Sequence, residues 1–150
     1  MTVIAIKDGV IAADSASTVA DRTTHYSAKI FPVKAEHGGG YVAAAGAWAL
    51  GQAAAKRYAE AGETPTEKTD QFNLHLLRPD GTTARCEDGC WFDVDAPFMA
   101  GGSGADFAAG AMAAGASAVD AVRLACDHMA FCGGPILTFS VVSHLAEAAE

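Results

Sequence analysis

An α+β fold, with two antiparallel sheets and the helices outside them, follows from three observations on the sequence. Strand-length apolar runs come in pairs joined by Asp-Gly or Gly-rich turns, a helix-length stretch separates the first strands from the next set, and two further helical stretches precede one last strand. That order is not the strand–helix alternation that builds a parallel doubly wound sheet. A chain of 150 residues is the size of one domain, spanning 1–150, with one substantial core.

The first element is a hairpin over residues 1–15. Asp8-Gly9 joins its two apolar strands, and a loop of this kind is a strong hairpin signal because both residues tolerate positive φ. Residues 16–27 are rich in Ser, Thr and Asp with few large apolar side chains, and read as a surface loop. Residues 29–33 and 41–45 form a second strand pair, in which Pro32, lacking an N–H, predicts either a bulge or an early end to the ladder. A helix is expected over 47–61, its small and apolar residues (Ala47, Leu50, Ala54, Ala61) opposed to Lys56, Arg57 and Glu60, with Gly62 as its stop. A polar linker with Pro65 covers 62–70. Strands follow at 72–78, 82–87 and 90–93, separated by turns at 79–81 and 88–89. Residues 97–100 lead into Gly101 and then Gly102-Ser103-Gly104. A small-residue helix at 105–115 is suited to close packing on a sheet. Ser117 as N-cap and Asp120 at N3 open another helix that runs to His128. Residues 136–142 are the last strand, and 145–150 an acidic tail.

Composition narrows the function classes. A 51% hydrophobic share against 19% charged, with mean hydropathy +0.17, describes a globular chain with extensive buried surface or a subunit interface. A net charge of -8 argues against nucleic acid as a partner, because its binders cluster Lys and Arg. No apolar run approaches the roughly 20 residues that span a bilayer, and no basic leader precedes the first strand, so no membrane partner and a cytoplasmic location are expected. Cys86, Cys90, Cys126 and Cys132 lack paired C-x-x-C spacing and are expected to be reduced thiols, Cys86 and Cys90 as cross-strand neighbours; neither a metal nor a cofactor is predicted.

The chemistry centres on Thr2. Once Met1 is removed, Thr2 carries a hydroxyl and a free amine on one residue. An α-amine has a pKa of roughly 7.7 to 8.0, so it can take the hydroxyl proton at working pH and create a nucleophile. The antiparallel hairpin brings Asp14 back beside it.

Several segments in order resemble the N-terminal-nucleophile hydrolases, specifically proteasome β-type and HslV-type peptidase subunits. Val10 to Ser15 resembles the return strand of their first hairpin, Ser27-Ala28-Lys29-Ile30-Phe31 their lysine strand, and Ala43-Ala44-Ala45-Gly46 the strand end that supplies an oxyanion donor. Gly102-Ser103-Gly104 resembles their Gly-Ser-Gly, and Cys132-Gly133-Gly134 the Gly-Gly before the last core strand. The resemblance covers most of the chain and implies a shortened four-layer αββα sandwich.

It also implies roles. Thr2 is the nucleophile; Lys29 is a positive charge beside its hydroxyl, against the ordinary alternative of a surface lysine at a strand end. Asp14 holds Lys29, against that of a solvated turn carboxylate. Gly46 offers its N–H to the oxyanion, where a tight turn or helix cap is the plainer reading. Ser103 bonds near the Thr2 amine, where the alternative is a Gly-flanked turn serine. The family's remaining aspartate and serine positions hold Met129 and Cys132 here, and Asp127 falls two places early, on another face of a helix end. The implied activity is that of a threonine-type endopeptidase acting on polypeptides in a homo-oligomeric ring or other assembly, fed by an ATP-dependent unfoldase. A non-catalytic assembly protein and a small-molecule amidase of the same fold are the alternatives.

Overall fold

The computed structural model of the protein describes residues 2–19, 22–66 and 70–141. Met1, part of the linker, Val142 and the acidic tail at 145–150 lie outside the described residues. Asp8 and Gly9 both take positive φ, 52° and 73°, which turns strand β1 (Ile4–Lys7) directly back into β2 (Val10–Ala13). The predicted loop after them is instead a second hairpin, β3 (Ala16–Val19) and β4 (Arg22–Tyr26), with a bulge between Ser17 and Thr18. Its Ser and Thr content was misleading: Thr and Val favour the pleated backbone, and Ala16 and Ser17 are buried.

Strand β5 (Ile30–Pro32) pairs with β6 (Tyr41–Gly46), and Pro32 is the last residue of that ladder. The missing N–H thus falls on an edge strand, at its end, where no ladder bond is lost. A 3-10 turn at Ala35–His37 joins the two strands. Helix α1 (Trp48–Ala61) follows and stops at Gly62, whose φ of 69° lets its N–H reach the Tyr58 carbonyl. Then come β7 (Phe72–Leu77), β8 (Thr83–Glu87), β9 (Cys90–Val94) and β10 (Phe98–Gly101). Helix α2 (Ala105–Ala113) leads to α3 (Ala118–His128), where the Ser117 hydroxyl accepts the Asp120 N–H at 3.1 Å as the sequence predicts. Strand β11 (Leu137–Ser140) ends the described fold.

Two antiparallel sheets result, one ordered β10-β1-β2-β11 and the other β5-β6-β7-β8-β9, with the β3–β4 ribbon separate. Alternation along each strand sends successive side chains to opposite faces, and three apolar clusters fill the resulting spaces. Ile4, Ile6, Ile11 and Met99 meet Ala43, Ala45 and Leu77 between the sheets. Val42, Ala44, Leu74 and Leu76 pack on Ala54, Ala55 and Ala59 of α1. Val3, Ala5 and Ala12 pack on Ala108, Met112, Ala121, Val122 and Ala125 of α2 and α3. The small residues on the helices let them lie close to the sheets. Among the described residues no helix is long and apolar enough to cross a membrane.

All four cysteines are free thiols. Cys86 and Cys90 are offset in register, Cys86 facing Trp91 and Cys90 facing Glu87, so they point to opposite faces of the sheet and cannot bridge.

Candidate active site

Four of the five sequence-predicted site residues are joined by hydrogen bonds at the open end of the first hairpin. Thr2 precedes β1 and Asp14 follows β2, so the two-residue Asp8-Gly9 turn sets them side by side; Asp14 N donates to the Val3 carbonyl at 3.2 Å. Lys29 stands immediately before β5. Its Nζ lies 2.8 Å from Asp14 Oδ1 and donates to Thr2 Oγ1 at 3.2 Å. Both Lys29 and Asp14 are fully buried, which excludes the surface-lysine and solvated-carboxylate alternatives. An isolated charge in either place would cost several kcal/mol, and the pair offsets that only with its remaining hydrogen bonds made.

Those bonds are present. Asp14 Oδ1 also accepts the Val3 N–H at 3.0 Å, and Oδ2 accepts the Gly133 N–H at 3.2 Å. The Gly133 carbonyl in turn accepts from Ser15 and Ala16 N–H, and Ser15 Oγ donates to the Pro135 carbonyl at 2.6 Å. Residues 132–135 are thereby latched to the chain beside Asp14. Gly134 has a φ of 77°, and any Cβ there would strike Tyr26 and Ser15.

Ser103 stands on the other side of Thr2. The Thr2 N–H donates to Ser103 Oγ at 3.2 Å, and Ser103 Oγ is 3.4 Å from the Thr2 carbonyl oxygen, which also accepts the Gly104 N–H at 3.1 Å. Gly102, with φ 86°, comes so close to the Thr2 carbonyl that a Cβ would collide with it. Gly46 ends β6 with φ 111° against the Gln71 carbonyl, and Gly46 and Ser103 line one crevice of about 260 Å3.

Chemically, a hydroxyl oxygen that accepts from a buried ammonium is poised to bear negative charge, because the charge that would form has a donor already aimed at it. The nitrogen of the same residue already has a hydroxyl partner. The sequence did not single out Trp48, whose ring centroid lies 6.0 Å from Lys29 Nζ, or the Gly133 N–H on Asp14. These are through-space contacts between distant segments, and the Gly133-Gly134 pair was the only local signal. The end of α3 contributes no carboxylate to Thr2: Asp127 is exposed, and Met129 packs in the apolar cluster under β1 and β2. Cys132 lies near Val3 and Gly104; burial, and then Asp14, raise its thiol above the ordinary range, and the same two causes push Cys126 up to about 11. Both are therefore protonated, weakly nucleophilic thiols. Among the described residues no group of three His, Cys, Asp or Glu side chains gathers as a metal site.

No family model matches the chain, and no curated protein matches it. Solved structures do. Thiobacillus denitrificans BPH in complex with epoxomicin superposes with a TM-score of 0.65 at 19% identity, covering 93% of this chain and 97% of that one. A second structure of Thiobacillus denitrificans BPH gives a TM-score of 0.64 at 19% identity, covering 93% of this chain and 96% of that one. At that identity the likeness is one of fold: this chain shares the α+β architecture of those proteins over nearly its whole length.

Proposed function

We propose that the chain is a threonine-type peptidase subunit that works in a homo-oligomer, with Thr2 as the N-terminal nucleophile once Met1 is removed. The observation that carries this reading is the fully buried Lys29 ammonium, held 2.8 Å from Asp14 and donating to Thr2 Oγ1 at 3.2 Å. A buried ion pair is weak evidence for stability, so one aimed at a hydroxyl is better accounted for by chemistry. The three stacked apolar clusters, helix on sheet, sheet on sheet and sheet on helices, support reading the fold as a shortened four-layer αββα sandwich.

In the proposed mechanism the free Thr2 amine takes the hydroxyl proton, and Oγ1 attacks the scissile carbonyl carbon while Lys29 stabilises the charge on Oγ1. The carbonyl oxygen becomes an oxyanion with the Gly46 N–H as its donor, a contribution of roughly 2.7 to 4 kcal/mol where such a donor has been removed elsewhere. The protonated amine then gives its proton to the leaving nitrogen, the C–N bond breaks, and an ester to Thr2 remains. Water, deprotonated by the same amine, attacks that ester and releases Oγ1 with its proton. Ser103 orients the amine throughout. An ATP-dependent unfoldase is the kind of partner that would feed such an assembly.

One observation favours a second reading, a non-catalytic assembly protein of the same fold: the α3 end gives Thr2 no carboxylate, since Asp127 faces solvent and Met129 the core. Three measurements on one preparation separate the two. Intact mass establishes whether Met1 is lost, elution volume whether the 15.3 kDa chain assembles, and peptide hydrolysis whether it acts. Loss of Met1 with hydrolysis abolished by Thr2→Ala is the expected result. Epoxomicin, bound in one of the structures of similar fold, serves as a probe whose saturable binding should disappear with Thr2→Ala. A trimmed, assembled chain that neither hydrolyses peptides nor binds the probe would favour the second reading.

A further inference from the structure

We infer that the crevice beside Thr2 is a specificity subsite that takes an uncharged, hydrogen-bonding side chain of a bound peptide, a glutamine or an asparagine. The inference rests on the peptidase reading only in taking a peptide as the ligand. Gly46 and Ser103 both line it, and Ser103 Oγ accepts the Thr2 N–H, so a peptide carbonyl held at Thr2 would place a neighbouring side chain near its mouth. Its volume of about 260 Å3 suits one side chain, being below the roughly 300–1,000 Å3 of sites that enclose a whole small molecule.

The chemistry of the crevice comes from strand positions that face between the sheets yet are polar. Asn73 shares the face of Leu77 on β7, and Arg85 stands on β8 opposite His75, which is fully buried and does not line the crevice. The Arg85 guanidinium is held 2.6 Å from Glu87, and with the Asn73 amide assigned in its bonded orientation, Asn73 Oδ1 accepts from Arg85 Nη2 at 3.2 Å. Asp70 and Gln71 face the same space. No lining side chain larger than alanine is apolar.

That set discriminates by sign and by polarity. An anionic side chain finds the Arg85 charge already answered by Glu87 and meets Asp70, while a cationic one meets the Arg85 guanidinium. A carboxamide can offer its oxygen to Arg85 and its NH2 to Asp70. An apolar side chain would strip water from these groups and return no hydrogen bond, the situation in which polar sites reject apolar analogues most strongly. Two backbone segments of the crevice are closely packed, since a Cβ on Gly46 or Gly102 would strike the Gln71 or Thr2 carbonyl.

The test measures binding rather than turnover. Labelled alanine-based hexapeptides carrying Gln, Glu or Leu at each position in turn are titrated by fluorescence anisotropy against the Thr2→Ala protein, or, should that variant not fold, against a protein whose Thr2 amine is permanently blocked. At one position Gln should bind at least about ten-fold tighter than Leu. Arg85→Met should shrink that ratio to about two-fold, and Asp70→Asn should raise the affinity for Glu relative to Gln. Equal affinity for Gln and Leu at every position, no binding of any peptide, or a preference unchanged in both variants overturns the subsite. A protein that prefers Gln peptides while its trimmed wild type hydrolyses none supports the subsite and overturns the peptidase reading alone.

Discussion

His75 should make the folded protein about 2 kcal/mol less stable at pH 5 than at pH 7.5. The imidazole is fully buried between the sheets, neither ring nitrogen has a hydrogen-bond partner, and its edge faces Gly101 so closely that a Cβ there would collide with it. Burial, with the Arg85 charge adding to it, lowers its pKa from 6.5 to about 3. The folded state therefore stays neutral while the unfolded chain takes up a proton as pH falls below 6.5. Protonation favours the unfolded state throughout that window. The contribution is fully present above about pH 6.5 and falls by up to about 1.4 kcal/mol per pH unit on the way down. With a urea m-value of about 1–3 kcal/mol/M, typical of small domains, the loss at pH 5 moves the midpoint by about 1 M. The assay is urea denaturation of wild type and His75→Leu across that range. The variant carries no titrating group and no unpaired buried nitrogen, so its stability at pH 7.5 should stay within about 1 kcal/mol of wild type or exceed it, and the part of the pH slope due to His75 should vanish. Parallel curves for the two proteins between pH 7.5 and pH 5 would refute the argument.

Other outcomes follow from the same contacts. Lys29→Met leaves the Asp14 carboxylate buried without its ammonium and should destabilise the protein by roughly 3 kcal/mol, the lower end for a broken buried pair, because the Val3 and Gly133 N–H groups still serve it; chemical denaturation reads this, and Asp14→Asn on top should recover part of it. If Thr2 is the nucleophile, activity in the trimmed protein should rise with pH through a midpoint below the ordinary α-amine range of roughly 7.7 to 8.0, because the nearby Lys29 charge disfavours the ammonium; a pH–rate profile with a midpoint above that range counts against it. Gly102→Ala forces a Cβ into the Thr2 carbonyl at a φ of 86°. It should cost about 1–3 kcal/mol of stability and, if Thr2 is the nucleophile, displace it enough to silence hydrolysis, both measurable on one sample.

Local signals carried most of the fold. Asp8-Gly9 and Asp88-Gly89 turn where positive φ is needed, Ser117 caps α3, and Gly62 ends α1. The failures lie where tertiary context overrides local pattern. Residues 16–27 have the composition of a loop yet pair as β3 and β4, because Ala16 and Ser17 are drawn into buried positions beside the site. Asn73 and His75 alternate with Leu74 and Leu76 along β7, and the face they share looks into the space between the sheets. No local rule announces a polar face turned inward. At the site, the hairpin made the Thr2–Asp14 juxtaposition legible from sequence alone. Lys29 needed the family resemblance, since nothing in its neighbours distinguishes a buried lysine from an exposed one. The Gly133 donor and the Trp48 ring belong to segments far away in sequence, and only the folded chain brings them to Asp14 and Lys29.

The proposal that Thr2 acts through its own amine is tested most directly by comparing peptide hydrolysis in two proteins that differ only before Thr2. One begins at Thr2 with a free amine. The other carries an extension that cannot be removed, so that the Thr2 nitrogen remains an amide, which cannot serve as the base. The account predicts hydrolysis by the first and none by the second, with unchanged fold and assembly in both. Equal rates from the two proteins would contradict it.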